Sequence, residues 1–263
     1  MKNKKMNDKK IYMIFIIVMV ALFGAGYLIG SFVAKLKKSY SLEEIMATIK
    51  ETLAVIVPPL FVVLAVAFLI AVFTSYNSCK RMYKKLQHDP DDELWDVLEN
   101  KMNVPMILAN VMQIVNVFFI GCILSIVEFA PYGKDGGLQK AILIMDVILF
   151  VLLLVTGLLI SKGVVDMEKK LNPEKQGNVF DFKFNEVWFS SCDEAQKMII
   201  YRAAYQAFKG TNITCVILCF LSLIGVVLFQ TGIYPMLCIC AIWLVNNLSY
   251  MLRAAKLEKG ENK

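Results

Sequence analysis

Apolar residues fill this chain in six long blocks, at positions 11–34, 54–75, 104–127, 141–161, 212–230 and 235–251. Each block approaches or reaches the roughly 20 residues that a helix needs to cross a hydrocarbon core at about 1.5 Å rise per residue. Only Thr231-Gly232-Ile233-Tyr234 separates the last two, which predicts a tight antiparallel hairpin. The pattern predicts an all-α fold: a polytopic integral membrane helix bundle with six transmembrane helices, forming a single membrane domain over 1–263. Two longer polar segments, 76–103 and 162–211, are expected as cytoplasmic loops, and the second is long enough for a small loop subdomain.

That second loop carries the most local detail. Asn172-Pro173 and Gly177-Asn178 are turn signals, since proline fixes φ while Gly and Asn tolerate positive φ. Phe180, Phe182 and Phe184 then alternate with Asp181, Lys183 and Asn185, the period of an extended segment with one apolar face. Ser191-Cys192-Asp193-Glu194 fits a capping box, with Ser191 as N-cap and Glu194 reaching back to its amide. Beyond the cap, Ala195, Met198, Tyr201, Tyr205 and Phe208 share one helical face, and no strong breaker precedes the next apolar block. Three aligned phenylalanines with Trp188 form an apolar strip ill suited to water. The expectation is that this strip packs on Met198, Tyr201, Tyr205 and Phe208, with the inner leaflet or a protein partner as the alternatives. Asp193 and Glu194 then serve as cap groups, not as catalytic acids.

Other polar intervals carry similar signals. Ser41-Leu42-Glu43-Glu44 repeats the capping-box pattern, followed by an apolar stripe at Leu42, Ile45, Met46, Ile49 and Leu53. This predicts an interfacial helix that breaks or kinks at Pro58-Pro59 before the second span, because proline lacks the amide donor. In 76–103, Asp89 as N-cap with Pro90 at the first helical position and acids behind predicts a helix start. Lys84-Lys85-Leu86, Pro90 and Trp95 are echoed by Lys169-Lys170-Leu171, Pro173 and Trp188. Either a duplicated hairpin or a shared interfacial requirement, basic residues and tryptophan at the headgroups, accounts for the echo.

Composition agrees with the membrane class: 58% of residues are hydrophobic, and the mean hydropathy is +0.60. With the N-terminus inside, the inner segments hold 22 lysines and arginines and the outer ones 6. That bias predicts cytoplasmic N- and C-termini. It also explains the net charge of +6 without nucleic acid as a partner. The N-terminal block is longer than a signal-peptide core and is expected to stay as the first span, where Gly26 and Gly30 form a small-xxx-small pair. Seven cysteines, most of them inside the apolar blocks, do not form a disulfide framework. A single histidine, His88, cannot build an HExxH or zinc site, and no cofactor or metal is expected.

Polar residues inside the blocks are the remaining chemistry. Asn110, Gln113 and Asn116 lie in the third, Asp146 in the fourth, and Asn246 and Asn247 in the sixth. An intramembrane carboxylate is a functional candidate by default. Asp146 lies near the outer end of its block, where a hydrated or hydrogen-bonded side chain is the expectation. The amides read as interhelical glue, with Asn110 and Asn246 matched in depth and expected to face each other.

The run LNPEKQGNVFDFKF, Trp188 and SCDEAQKMIIYRAAYQAFK resemble the signature of a family of small multi-pass membrane proteins of low-GC Gram-positive bacteria, catalogued as a domain of unknown function. The resemblance implies a multi-pass protein of the bacterial cell membrane, in the setting of transporter and peptide-resistance genes. It brings no catalytic residues. The expected function is a non-enzymatic accessory, regulatory or immunity-type role acting through the cytoplasmic loops, with the lipid bilayer and a protein such as a transporter component as partners. The alternative is a small-solute transporter or permease subunit. An intramembrane enzyme fits least, because no clustered carboxylates and no Ser/His/Asp set are present.

Overall fold

A computed structural model describes residues 42–89, 91–126, 137–229 and 231–258, together with isolated positions within 9–31, which are helical and exposed. Most of the expected first span, its Gly26/Gly30 pair and the Ser41 cap lie outside the described residues. Six helices follow: α1 Leu42–His88, α2 Asp92–Ile126, α3 Gly137–Leu171, α4 Phe184–Ser190, α5 Glu194–Phe229 and α6 Tyr234–Glu258. Five of them, all but α4, are long and apolar enough to cross a membrane. No strand occurs among the described residues.

The chain divides into two compact units, residues 47–198 and residues 1–46 with 199–263, the boundaries falling inside α1 and α5. In the first unit, α1, α2 and α3 share one core. Phe61 and Phe119 stack at 5.6 Å between α1 and α2. Val72, Cys79 and Leu86 of α1 meet Leu98, Met102, Ala109 and Met112 of α2, and Leu153, Ile160, Val164, Met167 and Leu171 of α3. This buried stripe recurs at helical spacing well beyond the apolar blocks. The 76–103 segment is therefore not a loop. α1 runs on to His88, α2 starts at Asp92, and residues 89–91 connect them. Lysines and Met between Ser75 and His88 are good helix formers, and Thr74 and Ser75 bond back to the carbonyls of Ile70 and Val72.

Two further expectations are corrected here. α1 passes uninterrupted through Pro58 and Pro59, so no separate interfacial helix exists over the described part of 41–53. Adjacent prolines leave neighbouring carbonyls without donors, and small Ala54, buried one turn before buried Pro58, leaves the core side of that turn uncrowded. The start of α2 is capped by Asp91 rather than Asp89: its Oδ1 accepts the Glu93 amide at 3.0 Å. A run of four acids offers several cap positions, and the one used is the one immediately before the first helical residue.

The second unit contains an antiparallel hairpin of α5 and α6. The Phe208 and Tyr250 rings stack at 4.3 Å, and Trp243 and Asn247 both reach Asn212. The reversal includes Gly232 at φ 71°, a left-handed conformation that glycine adopts without a Cβ penalty. α5 continues unbroken through Gly210. All seven cysteines are free thiols.

Candidate functional site

α3 and α5 are joined by a folded polar cap over residues 172–193, built around α4. It begins where Asn172 ends α3, its Nδ2 donating to Glu168 Oε1 at 2.9 Å. Lys169 Nζ donates to the Gly177 carbonyl at 2.9 Å and pairs with Asp166 at 3.5 Å. Gly177 has φ 120°, and a Cβ there would meet the Phe184 ring at 3.0 Å, so glycine is required on both counts. The Gln176 amide donates to Ser191 Oγ at 3.1 Å, tying the first turn of the cap to its end.

Lys175 is the centre of this cap. It is 6% exposed, yet it forms no ion pair among the described residues. Its ammonium donates to Cys192 Sγ at 3.1 Å and to Gln196 Oε1, and lies 5.4 Å from the centre of the Trp188 ring. A buried ammonium is costly unless its protons have acceptors; thiol, amide and aromatic face supply them, and the Glu168 carboxylate is near enough to interact with the charge. Cys192 passes its own proton on to the Trp188 carbonyl at 3.3 Å. Trp188 in turn packs on Phe184, ring centres 5.5 Å apart.

The sequence expectations for this region are redistributed. Residues 180–183 are turns, and Phe184 already begins α4, so the alternating phenylalanines do not form an extended strip. Asn178 and Asp181 cause this: each accepts the amide two residues on, to Phe180 at 3.1 Å and to Lys183 at 3.0 Å. Phe182 is completely exposed, Phe180 and Met198 are exposed, and Phe184 and Trp188 pack on each other. The expected burial of the strip against the helix is thus corrected: the turns leave Phe180 and Phe182 exposed. The N-cap of α5 is Asp193, whose Oδ1 accepts the Gln196 amide at 2.7 Å. Ser191 is drawn away to Gln176 and to the Trp188 carbonyl, and Glu194 pairs with Lys197 at 3.0 Å instead of closing a box. Tyr201 and Tyr205 are exposed, with Lys209 Nζ 5.7 Å from the Tyr205 ring centre.

The amides of the third apolar block bond to carbonyls, not to one another. Gln113 Nε2 donates to Leu153 and Leu154 carbonyls at 2.9 and 3.3 Å, and Asn116 Nδ2 to Phe150 at 3.1 Å. They clamp α2 to α3. Gly157 makes room for Gln113, since a Cβ at 157 would overlap the Gln113 amide. Asn110 is exposed and Asn246 belongs to the other unit, with its Nδ2 buried and unbonded. Asn247 bonds to Asn212 Oδ1 at 2.7 Å, alongside Trp243 Nε1 at 2.7 Å. Asp146 departs furthest from expectation. It is fully buried, and neither carboxylate oxygen has a hydrogen-bond partner among the described residues. Its block-end position suggested hydration, but α3 turns it into the bundle rather than outward. The acceptors of Gln113 and Asn116 are likewise buried and unbonded.

Lys175, Cys192, Gln196 and Asn212 escaped sequence reasoning. Trp243 and Asn247, one turn apart on one face, were a usable signal for a shared acceptor such as Asn212. Nothing in the spacing of Lys175, Cys192 and Gln196 signals their meeting, because the turns at 172–183 create it.

These features define a protein that is all-helical among the described residues, with five helices long and apolar enough to span a membrane and a structured polar cap between two of its helices. Residues 6–254 match the family described as "Protein of unknown function (DUF3169)", and the chain belongs to that family. No curated protein and no solved structure matches it.

Proposed function

We propose that this is a multi-pass protein of a bacterial cell membrane with cytoplasmic N- and C-termini, acting without catalysis as an accessory, regulatory or immunity-type component through its polar cap. One contrast carries the reading. α1 and α2 are joined by residues 89–91 alone, whereas 172–193 between α3 and α5 fold around a buried lysine. A connection needs no such interior; a presented surface does. Exposed Glu174, Asn185 and Glu186 belong to that surface. A photo-crosslinking residue at each, in cells that carry the full chain, is expected to give one discrete protein adduct, lost on Lys175→Met. Adducts that persist in the Lys175→Met chain, or none at any position, would reject the cap as a partner surface.

A second reading, a small-solute transporter or permease subunit, is favoured by Asp146. A fully buried carboxylate with no hydrogen-bond partner among the described residues is an acceptor that a cation or proton would satisfy. Proteoliposome flux of monovalent cations or protons, abolished by Asp146→Asn in a chain that still folds, would favour this reading. Absence of any flux in the parent chain would leave the accessory reading alone.

A further inference from the structure

We propose that the turn bearing Phe180 and Phe182 is a lipid anchor, its rings seated in the headgroup region of the leaflet at the α3 C-terminal end. This rests on the reading that α3 crosses a membrane. The apolar block of α3 ends at residue 161, and Lys162 is the first charge beyond it. α3 then continues to Leu171, about 15 Å further out at 1.5 Å per residue. After that the chain turns back along the helix. The Gly177 carbonyl meets Lys169 Nζ at 2.9 Å, and the Phe180 ring centre lies 5.7 Å from Lys162 Nζ. Both contacts are made at the ends of lysine side chains, so the turn lies alongside the C-terminal stretch of α3. Phe180 therefore stands beside the ammonium of the first charge beyond the apolar block.

The surface it joins is continuous with the outer face of α3. Leu158 and Leu159, four and three residues before Lys162 and on its face, are exposed. Phe180 extends that apolar face past the boundary, and completely exposed Phe182 projects from the same turn. Rings flanked by Lys162 and Lys183 have the composition of an interfacial contact: aromatic groups among acyl chains and cations among phosphates. The turn is also pre-formed. Asn178 and Asp181 each hold two amides, so little conformational freedom is lost when the rings meet lipid.

The test is photo-crosslinking in vesicles of palmitoyl-oleoyl phosphatidylglycerol and phosphatidylethanolamine containing the purified full chain. p-Benzoylphenylalanine replaces Phe182, and in separate chains exposed Ile148 within the α3 apolar block or exposed Glu174 at the distal turn. The expected result is lipid adducts at 182 and 148 and none at 174. An adduct at 148 without one at 182 overturns the anchor and leaves the membrane reading standing. No adduct at 148 removes the membrane reading and the anchor with it. The same chain irradiated in native membranes should again give lipid at 182; a protein adduct there would make the turn a protein-docking site and overturn the anchor.

Discussion

Lys175 sets the stability of the cap by a balance that one substitution can tip. Its ammonium fills acceptors on Gln196 and Cys192 that have no other donor at hand. Lys175→Met removes a buried charge together with its bonds to Cys192 and the half-buried Gln196, a loss of about 1 kcal/mol. The expected outcome is a lower unfolding temperature of the purified protein in detergent. Adding Gln196→Leu to it should recover most of the loss, since an apolar pair can replace a polar one of similar shape. Additive losses in the double variant would refute this account. Gly177→Ala tests the neighbouring turn, where φ 120° and the nearby Phe184 ring both oppose a side chain. A loss of at least about 1 kcal/mol is expected; an unchanged unfolding temperature would contradict the geometry. Residues of this kind were half legible. Turn chemistry at Asn172 and Gly177 was visible in the sequence, but a lysine buried by a fold-back looks like any surface lysine until the turns bring Cys192 and Gln196 to it.

Helices were legible as kinds and illegible as lengths. Apolar blocks announced α1, α2, α3, α5 and α6, but the helices exceed them because Cys79, Leu86, Leu98 and Met167 prolong the buried stripe into charged sequence. Hydropathy averages over a helix face, so a stripe with lysines on its far side reads as loop. Phe180, Phe182 and Phe184 failed in the opposite way: a period of two over five residues was overruled by Asn178 and Asp181, whose side chains close turns. The α2–α3 seam carries the prediction at this scale. Gly157→Ala forces Gln113 off the Leu153 and Leu154 carbonyls, and interhelical amide bonds of this kind contribute about 0.6–2 kcal/mol each. Gly157→Ala is expected to destabilise the protein in detergent, and clearly less so in a Gln113→Ala background, where the clash is already relieved. Equal effects in both backgrounds would show that Gln113 does not hold the seam.

At the scale of the whole molecule, the geometry of the first unit sharpens the proposed orientation. Residues 89–91 join the end of α1 to the start of α2, and Gly163 of α3 lies against the Tyr76 hydroxyl of α1, so the end of α1, the start of α2 and the C-terminal part of α3 lie at one end of the unit. Lys80, Arg81, Lys84, Lys85, Lys162, Lys169 and Lys170 gather on the same two helix extensions. Cationic residues flanking spans are retained on the cytoplasmic side, which assigns that end, and the polar cap with it, to the cytoplasm under the proposed reading. A single cysteine introduced at exposed Glu174 reports this end without the strain that Gly177 would impose. Cysteines at Asp135 and Asn262 report the α2–α3 connection and the C-terminal segment. With the parent chain as background, an impermeant maleimide on intact cells should label Asp135→Cys alone. Glu174→Cys and Asn262→Cys should label only after permeabilisation. Labelling of Glu174→Cys in intact cells would invert the first unit and put the cap outside. Labelling of Asn262→Cys together with Asp135→Cys, but not of Glu174→Cys, would keep the cap inside and change the number of crossings after it.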